Sequence, residues 1–329
     1  VTKSTEHNSK LCAEFIARSK VFSRYPRVSE QAESLPFGSG LPKFAYNNSV
    51  MRYNCDLWMS FRYHFSNDYR TKIGFALVTE SGKIERVQDL ELEGFSNEDV
   101  RLFMFQSEPW MSWVEAKWEG AMTYPKAVVK FAKLDLPHND NPYKRRWRVD
   151  RIYHTTFGGN DWSSIQKNWC FFEDSHESML FIYQTWPEQM VYKMSGDKPV
   201  TQWNSKGSQW PYGEIRGGTI VPHDGKLLRF FHSSTIYGIG RKEHRYYVGA
   251  LLMNPEPPFD ILVVGKKPIL YGSEIDNLPS AERKACRHWK ANVVFPCGAV
   301  SYNGGWILAA GINDSACGLF KITPDMLNL

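Results

Sequence analysis

Regularly spaced cysteines are missing from this 329-residue chain: its 6 cysteines stand at 12, 55, 170, 286, 297 and 317, with no CxxC pair. Such scatter excludes a zinc ribbon or a disulfide framework and points to reduced, mostly buried thiols. Glycine-rich phosphate cradles are missing too, since neither GxGxxG nor a P-loop occurs, and there is no GxSxG elbow or DxD pair. No metal and no organic cofactor is therefore expected. No apolar run approaches the roughly 20 residues of a membrane helix. The opening VTKSTEHNSK lacks the apolar core of a secretory signal. A cytoplasmic protein with no membrane partner is expected. A dominant charge sign is also wanting: 40 basic residues face 35 acidic ones, a net +5. Nucleic-acid binders need more excess basic charge than that to neutralise many phosphates. Helical periodicity is weak throughout, its best trace being a short turn at 279–289.

Aromatic residues, by contrast, are abundant at 15%, with 12 Trp and 16 Tyr. That richness suits all-β folds, and it suits sugar-binding clefts where ring faces pack on pyranose C–H faces. One pattern recurs: a strand-like run, a polar or Gly turn, a second apolar run, then a third. Copies begin with SVMRYN-CD-LWMSFRYH, VRLFMF-QSE-PWMSWVEAK, NWCFFE-DSHE-SMLFIYQ, GGTIVP-HDG-KLLRFFH and GAVSY-NGG-WILAAGIND. Taking Trp58, Trp110, Met179, Leu227 and Trp306 as equivalent gives intervals of roughly 50 to 80 residues, near a four-stranded propeller blade plus loops. A five-bladed all-β propeller over 41–329 is expected, preceded by an extension at 1–40. Outer strands are expected at KIERVQD, RWRVDRIY and DILVVG, and EFIARSKV at 14–21 is a candidate to close the ring.

In a propeller the innermost strand starts, and the next strand ends, on one face of the ring. At the starts stand Asn47 and Asn48, Glu98 and Asp99, Lys167 and Asn168, Arg216 to Thr219, and Pro296 with Cys297; at the ends stand Arg62, Glu115, Gln184, His232, and Asn313 with Asp314. Polar turns alone account for any one of them. Together they describe a ring of ionisable and amide groups at one mouth.

These segments resemble, in order, the motifs of the family-130 glycoside phosphorylases and their mannosyltransferase relatives. AYNNSVMRYNCDLWMSFRYH is similar to the first-blade segment, with Asn48 where Pro is usual; SNEDVRLF is similar to the Glu-Asp-Pro-Arg signature, with Val100 in place of Pro. KNWCFF, GGTIVPHDGKLLRFFH, RYYVGALL, VVFPCGAV and GINDSACGLF resemble later motifs. The resemblance implies an inverting enzyme, foremost a β-mannoside phosphorylase, whose partners are an oligosaccharide or glycoside and inorganic phosphate or a sugar phosphate. A homo-oligomer is left open. Phosphorolysis needs one acid, because phosphate is already a nucleophile and cations can hold it. The resemblance makes Asp99 that acid. It assigns Asn48, Arg62, Arg101, Lys167, Asn168, His232, Tyr246 and Asp314 to substrate, and an aromatic such as Trp110 or Trp169 is expected to hold the sugar beside them. Phosphate falls to Arg101, Lys167 and His232, with Lys126 standing where relatives place arginine. Arg145, Arg146, Arg148 and Arg151, in the basic run YKRRWRVDRIYH, are further candidates, and that run also fits nucleic acid, a nucleotide diphosphate or a solvated outer strand. Two alternatives stand beside this reading: a glycosyltransferase using a nucleotide sugar or sugar phosphate, and a non-catalytic carbohydrate-binding propeller.

Overall fold

The computed structural model describes residues 41–42, 45–64, 70–79, 82–94, 96–117, 126–136, 147–154, 167–237, 243–272, 290 and 292–329. They form antiparallel sheets that follow the chain. Blade 1 runs β1 (Tyr46–Tyr53), β2 (Asp56–His64), β3 (Thr71–Val78), β4 (Ile84–Leu90). Blade 2 runs β5 (Ser96–Phe105), β6 (Glu108–Lys117), β7 (Lys126–Asp135), β8 (Arg148–His154). Blade 3 runs β9 (Cys170–Glu173), β10 (Met179–Gln184), β11 (Glu188–Ser195), β12 (Lys198–Lys206). Blade 4 runs β13 (Arg216–His223), β14 (Lys226–Tyr237), β15 (Glu243–Met253), β16 (Ile261–Val264), with β17 (Leu270–Tyr271) also pairing β15. Blade 5 runs β18 (Val294–Tyr302), β19 (Gly305–Ile312), β20 (Ala316–Ile322). First strands touch in sequence, β1 with β5, β5 with β9, β9 with β13, β13 with β18 and β18 with β1. The ring is closed, and the five-bladed propeller expected from the sequence is the fold.

Turn chemistry sets the blade hairpins. Asn54-Cys55, Gln106-Ser107, Asp224-Gly225 and Asn303-Gly304 are two-residue loops with both φ positive, between 46 and 75°. That backbone twist matches the right-handed twist of the flanking strands. Blade 3 differs because its turn is longer: Asp174 Oδ1 accepts from the amides of His176 (3.0 Å) and Ser178 (2.7 Å), an Asx turn.

Second strands are covered on both faces by neighbouring blades, so β2 and β19 are buried along almost their whole length. Outer strands β8 and β12 alternate between exposed and half-buried, the period-2 signature of a sheet with one wet face. The core lies between blades. Trp58, Phe75, Met111, Trp113, Leu134 and Trp147 fill the space between blades 1 and 2, while Phe131, Phe171, Phe181 and Trp169 fill that between blades 2 and 3. Each buried aromatic contributes about 1.5–3 kcal/mol.

Near the axis the blades are tied by polar side chains. Ser49 Oγ donates to Cys297 O (3.0 Å) and accepts from Leu102 N (2.9 Å), joining blades 1, 5 and 2. Asn48 donates to Gly318 O (3.0 Å) and accepts from Gly318 N (3.2 Å). Arg229, entirely buried, donates twice to Gly217 O and once to Thr185 Oγ1 (2.8 Å).

The outer strands expected after the first, second and fourth copies are β4, β8 and β16. The outer strand of blade 3, β12, was not anticipated. Blade 5 has three strands among the described residues; the segment proposed to complete it (14–21), the extension at 1–40 and the turn at 279–289 lie outside them.

Candidate active site

Four inner strands break register at the same level, between Tyr46 and Ser49, Glu98 and Arg101, Arg216 and Thr219, and Pro296 and Gly298. An extra residue at such a bulge re-aims its side chain. The bulged residues Asn47, Asp99 and Gly217 take left-handed φ of 50, 49 and 48°, and Asn168, two residues ahead of β9, takes 65°. Asn, Asp and Gly tolerate that backbone best. Val100, where the motif has Pro, is fully buried in the core between blades 1 and 2. Packing, rather than a proline ring, fixes the backbone beside Asp99.

Blades 1 and 2 meet at Asp99. Asn47 Nδ2 donates to its Oδ1 at 2.9 Å, and Arg62 Nη1 lies 3.3 Å from the same oxygen and 2.9 Å from Glu98 Oε2. Arg62 rests over the Tyr46 ring, 4.4 Å from its centroid. Burial works against the Asp99 charge, but Arg62 first, then Arg101, Lys167 and the Asn47 amide outweigh it. Its carboxyl is held below the ordinary value of 3.8 and is anionic at neutral pH. Asp314, in blade 5, behaves oppositely: burial raises its pKa, against the pull of Arg62 and of Lys290, whose Nζ is 3.6 Å away. Two carboxyls at one mouth are thus pushed apart.

Blades 2, 3 and 4 meet at Gly217. A Cβ built there would stand 3.0 Å from Arg101 Nη2, 3.1 Å from His232 Cε1 and 3.4 Å from Asn168 Cβ. Arg101 is anchored by Nε on Gly218 O and Nη1 on Asp99 O, both 3.2 Å, and its guanidinium sits over Phe295 at 5.4 Å. Its Nη2, however, is buried without a partner, as is His232 Nδ1. Burial, then Arg101 and Arg216, hold His232 well below 6.5, so it is neutral at neutral pH and offers one N–H. Its ring packs on Phe295 at 4.4 Å and near Tyr246 at 6.1 Å. Burial also pushes Arg229 down to about 10, leaving it charged. Lys167 is exposed yet close enough to act on Asp99. Unpaired donors on Arg101 and His232, a second cation in Lys167 and the close approach that a glycine allows are the makings of an oxyanion cradle.

Asp99, Arg62, Arg101, Lys167, Asn168, His232, Tyr246 and Asp314 are therefore brought together; other expected residues are not. Asn48 spends its amide on Gly318, whereas Asn47, one residue earlier, turns its Nδ2 to Asp99 while its buried Oδ1 lies against Gly311. Trp110 lies opposite Phe103, at the far end of β6 from the mouth, half-buried among Phe103, Phe105, Phe131 and Tyr153. Trp169 is 2% exposed and stacks on Phe181 at 4.5 Å, so it offers no sugar platform. Glu115 pairs with Lys130. Arg148 and Arg151 ride on outer strand β8, away from the channel. Arg145, Arg146 and the side chain of Lys126 lie outside the described residues. Sequence reasoning put Asn47 and the stretch from Arg216 to Thr219 at the mouth without giving Asn47 or Gly217 a role, and it passed over Phe295; the Gly217-Gly218 pair was a signal for a backbone that side chains rarely adopt.

Fold and mouth together define a five-bladed propeller presenting a half-buried carboxylate beside a cationic cluster. No protein-family model matches the chain, and no curated protein matches it. Among solved structures it is similar to β-1,2-mannobiose phosphorylase from Listeria innocua in complex with β-1,2-mannobiose, at 13% identity, TM-score 0.58, covering 89% of this chain and 93% of that one. It is also similar to a mannose phosphorylase from Leishmania mexicana in complex with phosphate ion, at 15% identity, TM-score 0.56, covering 98% and 94%. A GDP-Man-dependent mannosyltransferase from Leishmania mexicana is similar at 13% identity, TM-score 0.56, covering 85% of each chain. At these identities the likeness is one of fold. Among the described residues no helix is long and apolar enough to cross a membrane.

Proposed function

We propose that the protein is an inverting glycosyl-transferring enzyme, a β-mannoside phosphorylase that moves a mannosyl unit between a glycoside and inorganic phosphate. One observation carries the reading: Arg101 Nη2 and His232 Nδ1 are buried, unpaired and gathered at Gly217, within the electrostatic reach of Asp99. Phosphate offers oxygens to both, and Lys167 adds charge at the entrance. Arg62 and Asp314 hold the sugar, Arg62 donating to its hydroxyls and Asp314 accepting from them.

Phosphate attacks the anomeric carbon from the face opposite the leaving oxygen; the new C–O bond forms as the glycosidic C–O bond breaks. Asp99 delivers a proton to the departing oxygen, directly or through a sugar hydroxyl. Because Asp99 is anionic before substrate binds, the proton arrives with phosphate as its monoanion. Negative charge in the cradle offsets Arg101 and Lys167 and raises the proton affinity of Asp99. In the reverse direction the anionic Asp99 serves as base for the acceptor hydroxyl. The products of the forward reaction are α-mannose 1-phosphate and the freed alcohol.

The test is incubation with β-1,2-mannobiose, with and without phosphate, followed by phosphorus NMR. Phosphate-dependent mannose 1-phosphate supports the proposal. Free mannose released without phosphate instead assigns hydrolysis, with Asp314 and Asp99 as the carboxyl pair. Transfer from GDP-mannose alone assigns a nucleotide-sugar transferase, and binding without turnover assigns a carbohydrate-binding propeller.

A further inference from the structure

We infer that Arg229, buried behind the mouth, is a positioning residue for the anion cradle: it pins the Gly217 carbonyl and lends its charge to the donors Arg101 and His232. The inference deepens the phosphate reading of the mouth and rests on it.

The bulge between Arg216 and Thr219 takes Gly217 and Gly218 out of the pairing of β13 with β14. Their carbonyls must then find other donors, and two guanidiniums supply them. Arg229, on the same strand as His232, gives Nε and Nη2 to Gly217 O at 3.1 and 2.9 Å. Arg101, from blade 2, gives Nε to Gly218 O at 3.2 Å. The glycine pair is thus strung between two arginines of different blades. Nη1 of Arg229 donates to the buried Thr185 Oγ1 at 2.8 Å, which fastens the anchor itself to blade 3. Two successive glycines with φ of +48 and +101° have the widest conformational freedom of any backbone at the mouth. Gly217 is also where the donors gather, Arg101 Nη2 and His232 Cε1 standing 3.0 and 3.1 Å from the place of a Cβ. Fixing that backbone fixes what both donors rest against.

A neutral amide would satisfy such a carbonyl at less expense. A buried guanidinium is the costlier choice, since desolvation opposes its charge and pushes its pKa down to about 10. Among the described residues, the groups acting on it are the Cys170 thiol, which burial keeps neutral, and the like charge of Arg101. Asp99, the anion that does act on Arg101, is already shared with Arg62 and the Asn47 amide. The charge of Arg229 also reaches His232. Arg101 and Arg229 repel each other in an interior that screens poorly, and an anion in the cradle relieves that repulsion. Phosphate gains from both, from Arg101 by contact and from Arg229 through the field.

Calorimetry with inorganic phosphate compares the full wild-type chain with Arg229→Gln, Arg229→Lys and Thr185→Val. Arg229→Gln is expected to weaken phosphate binding about 10-fold or more. The phosphate KM should rise by a similar factor while the glycoside KM moves less than about 3-fold, a split that general loosening of the fold does not produce. Arg229→Lys keeps the charge without the fork, and should bind phosphate at least about 3-fold more tightly than Arg229→Gln. If Arg229→Gln does not fold, Thr185→Val, which removes one anchor and leaves the charge, should still weaken phosphate about 3-fold or more. Wild type that binds no phosphate refutes the phosphate reading itself. Wild type that binds phosphate, with the neutral variant or its Thr185→Val substitute binding as tightly, overturns this inference alone. A lysine variant no better than glutamine, or a glycoside KM rising in step with that of phosphate, overturns it as well.

Discussion

Asp99→Asn isolates the proton from everything else the side chain does. Asparagine has the same shape, and its Oδ1 still accepts from Asn47 at the present 2.9 Å. Arg62 loses one partner at 3.3 Å but keeps Glu98 at 2.9 Å, so the mouth is not left with an orphaned guanidinium. What disappears is the group proposed to protonate the leaving oxygen. General acids contribute about 10²–10⁴ in rate, about 2.7–5.4 kcal/mol at 1.36 per power of ten. The assay compares a mannobiose, whose alkoxide cannot leave unprotonated, with a dinitrophenyl mannoside, whose phenolate can. A loss of 10²–10⁴ is expected for the disaccharide, and less than about 10-fold for the aryl glycoside. Equal losses on both would reduce Asp99 to a positioning role, and no loss on either would refute catalysis at this mouth. Stability has its own sign. Asp99 has a lowered folded pKa, so its contribution is present above 3.8 and fades as pH falls through the folded value. The variant should therefore be less stable than wild type at pH 7, the two converging in strong acid.

Arg101→Lys keeps the charge but cannot hold Gly218 O, Asp99 O and an anion together; phosphate KM should rise about 10- to 100-fold, and an unchanged KM would remove Arg101 from the cradle. Gly217→Ala sets a methyl 3.0 Å from Arg101 Nη2 at a φ of +48°. A loss of about 1–3 kcal/mol in chemical denaturation is expected, together with weaker phosphate binding; neutrality would contradict the packing. His232 has a depressed folded pKa, so the unfolded chain gains its proton first, and stability should fall as pH drops below 6.5. His232→Gln should flatten that slope in pH-dependent melting. Sulfate has no titrating proton near neutrality. Its binding should draw a proton onto the mouth, read by calorimetry in buffers of different ionisation heat, and Asp99→Asn should cut the uptake.

Blade hairpins were legible because their turns are chemical punctuation: Asp224-Gly225 and Asn303-Gly304 force the loop that pairs β13 with β14 and β18 with β19. The mouth was legible as a level in the fold, since antiparallel pairing puts Tyr46 beside Arg62 and Arg216 beside His232. Individual residues were harder. Choosing between Asn47 and Asn48 requires the bulge, because strand alternation sends neighbours to opposite faces and an extra residue resets which is which. Trp110 and Trp169 misled for another reason. Indoles serve interblade packing as readily as sugar stacking, and only the ring neighbours Phe103 and Phe181 reveal the use. Strand β12 escaped notice because the half-buried positions of KPVTQWNSK are Pro199, Trp203 and Ser205, too few apolar residues to read as a stripe.

The hydroxyl of Ser49, bonded at once to Cys297 and to Leu102, works as a hub pin. A wheel fastened at its hub keeps its centre true when the tyre wears. Unravelling should start at the perimeter, and amide hydrogens nearest the axle should be the last to exchange with deuterium.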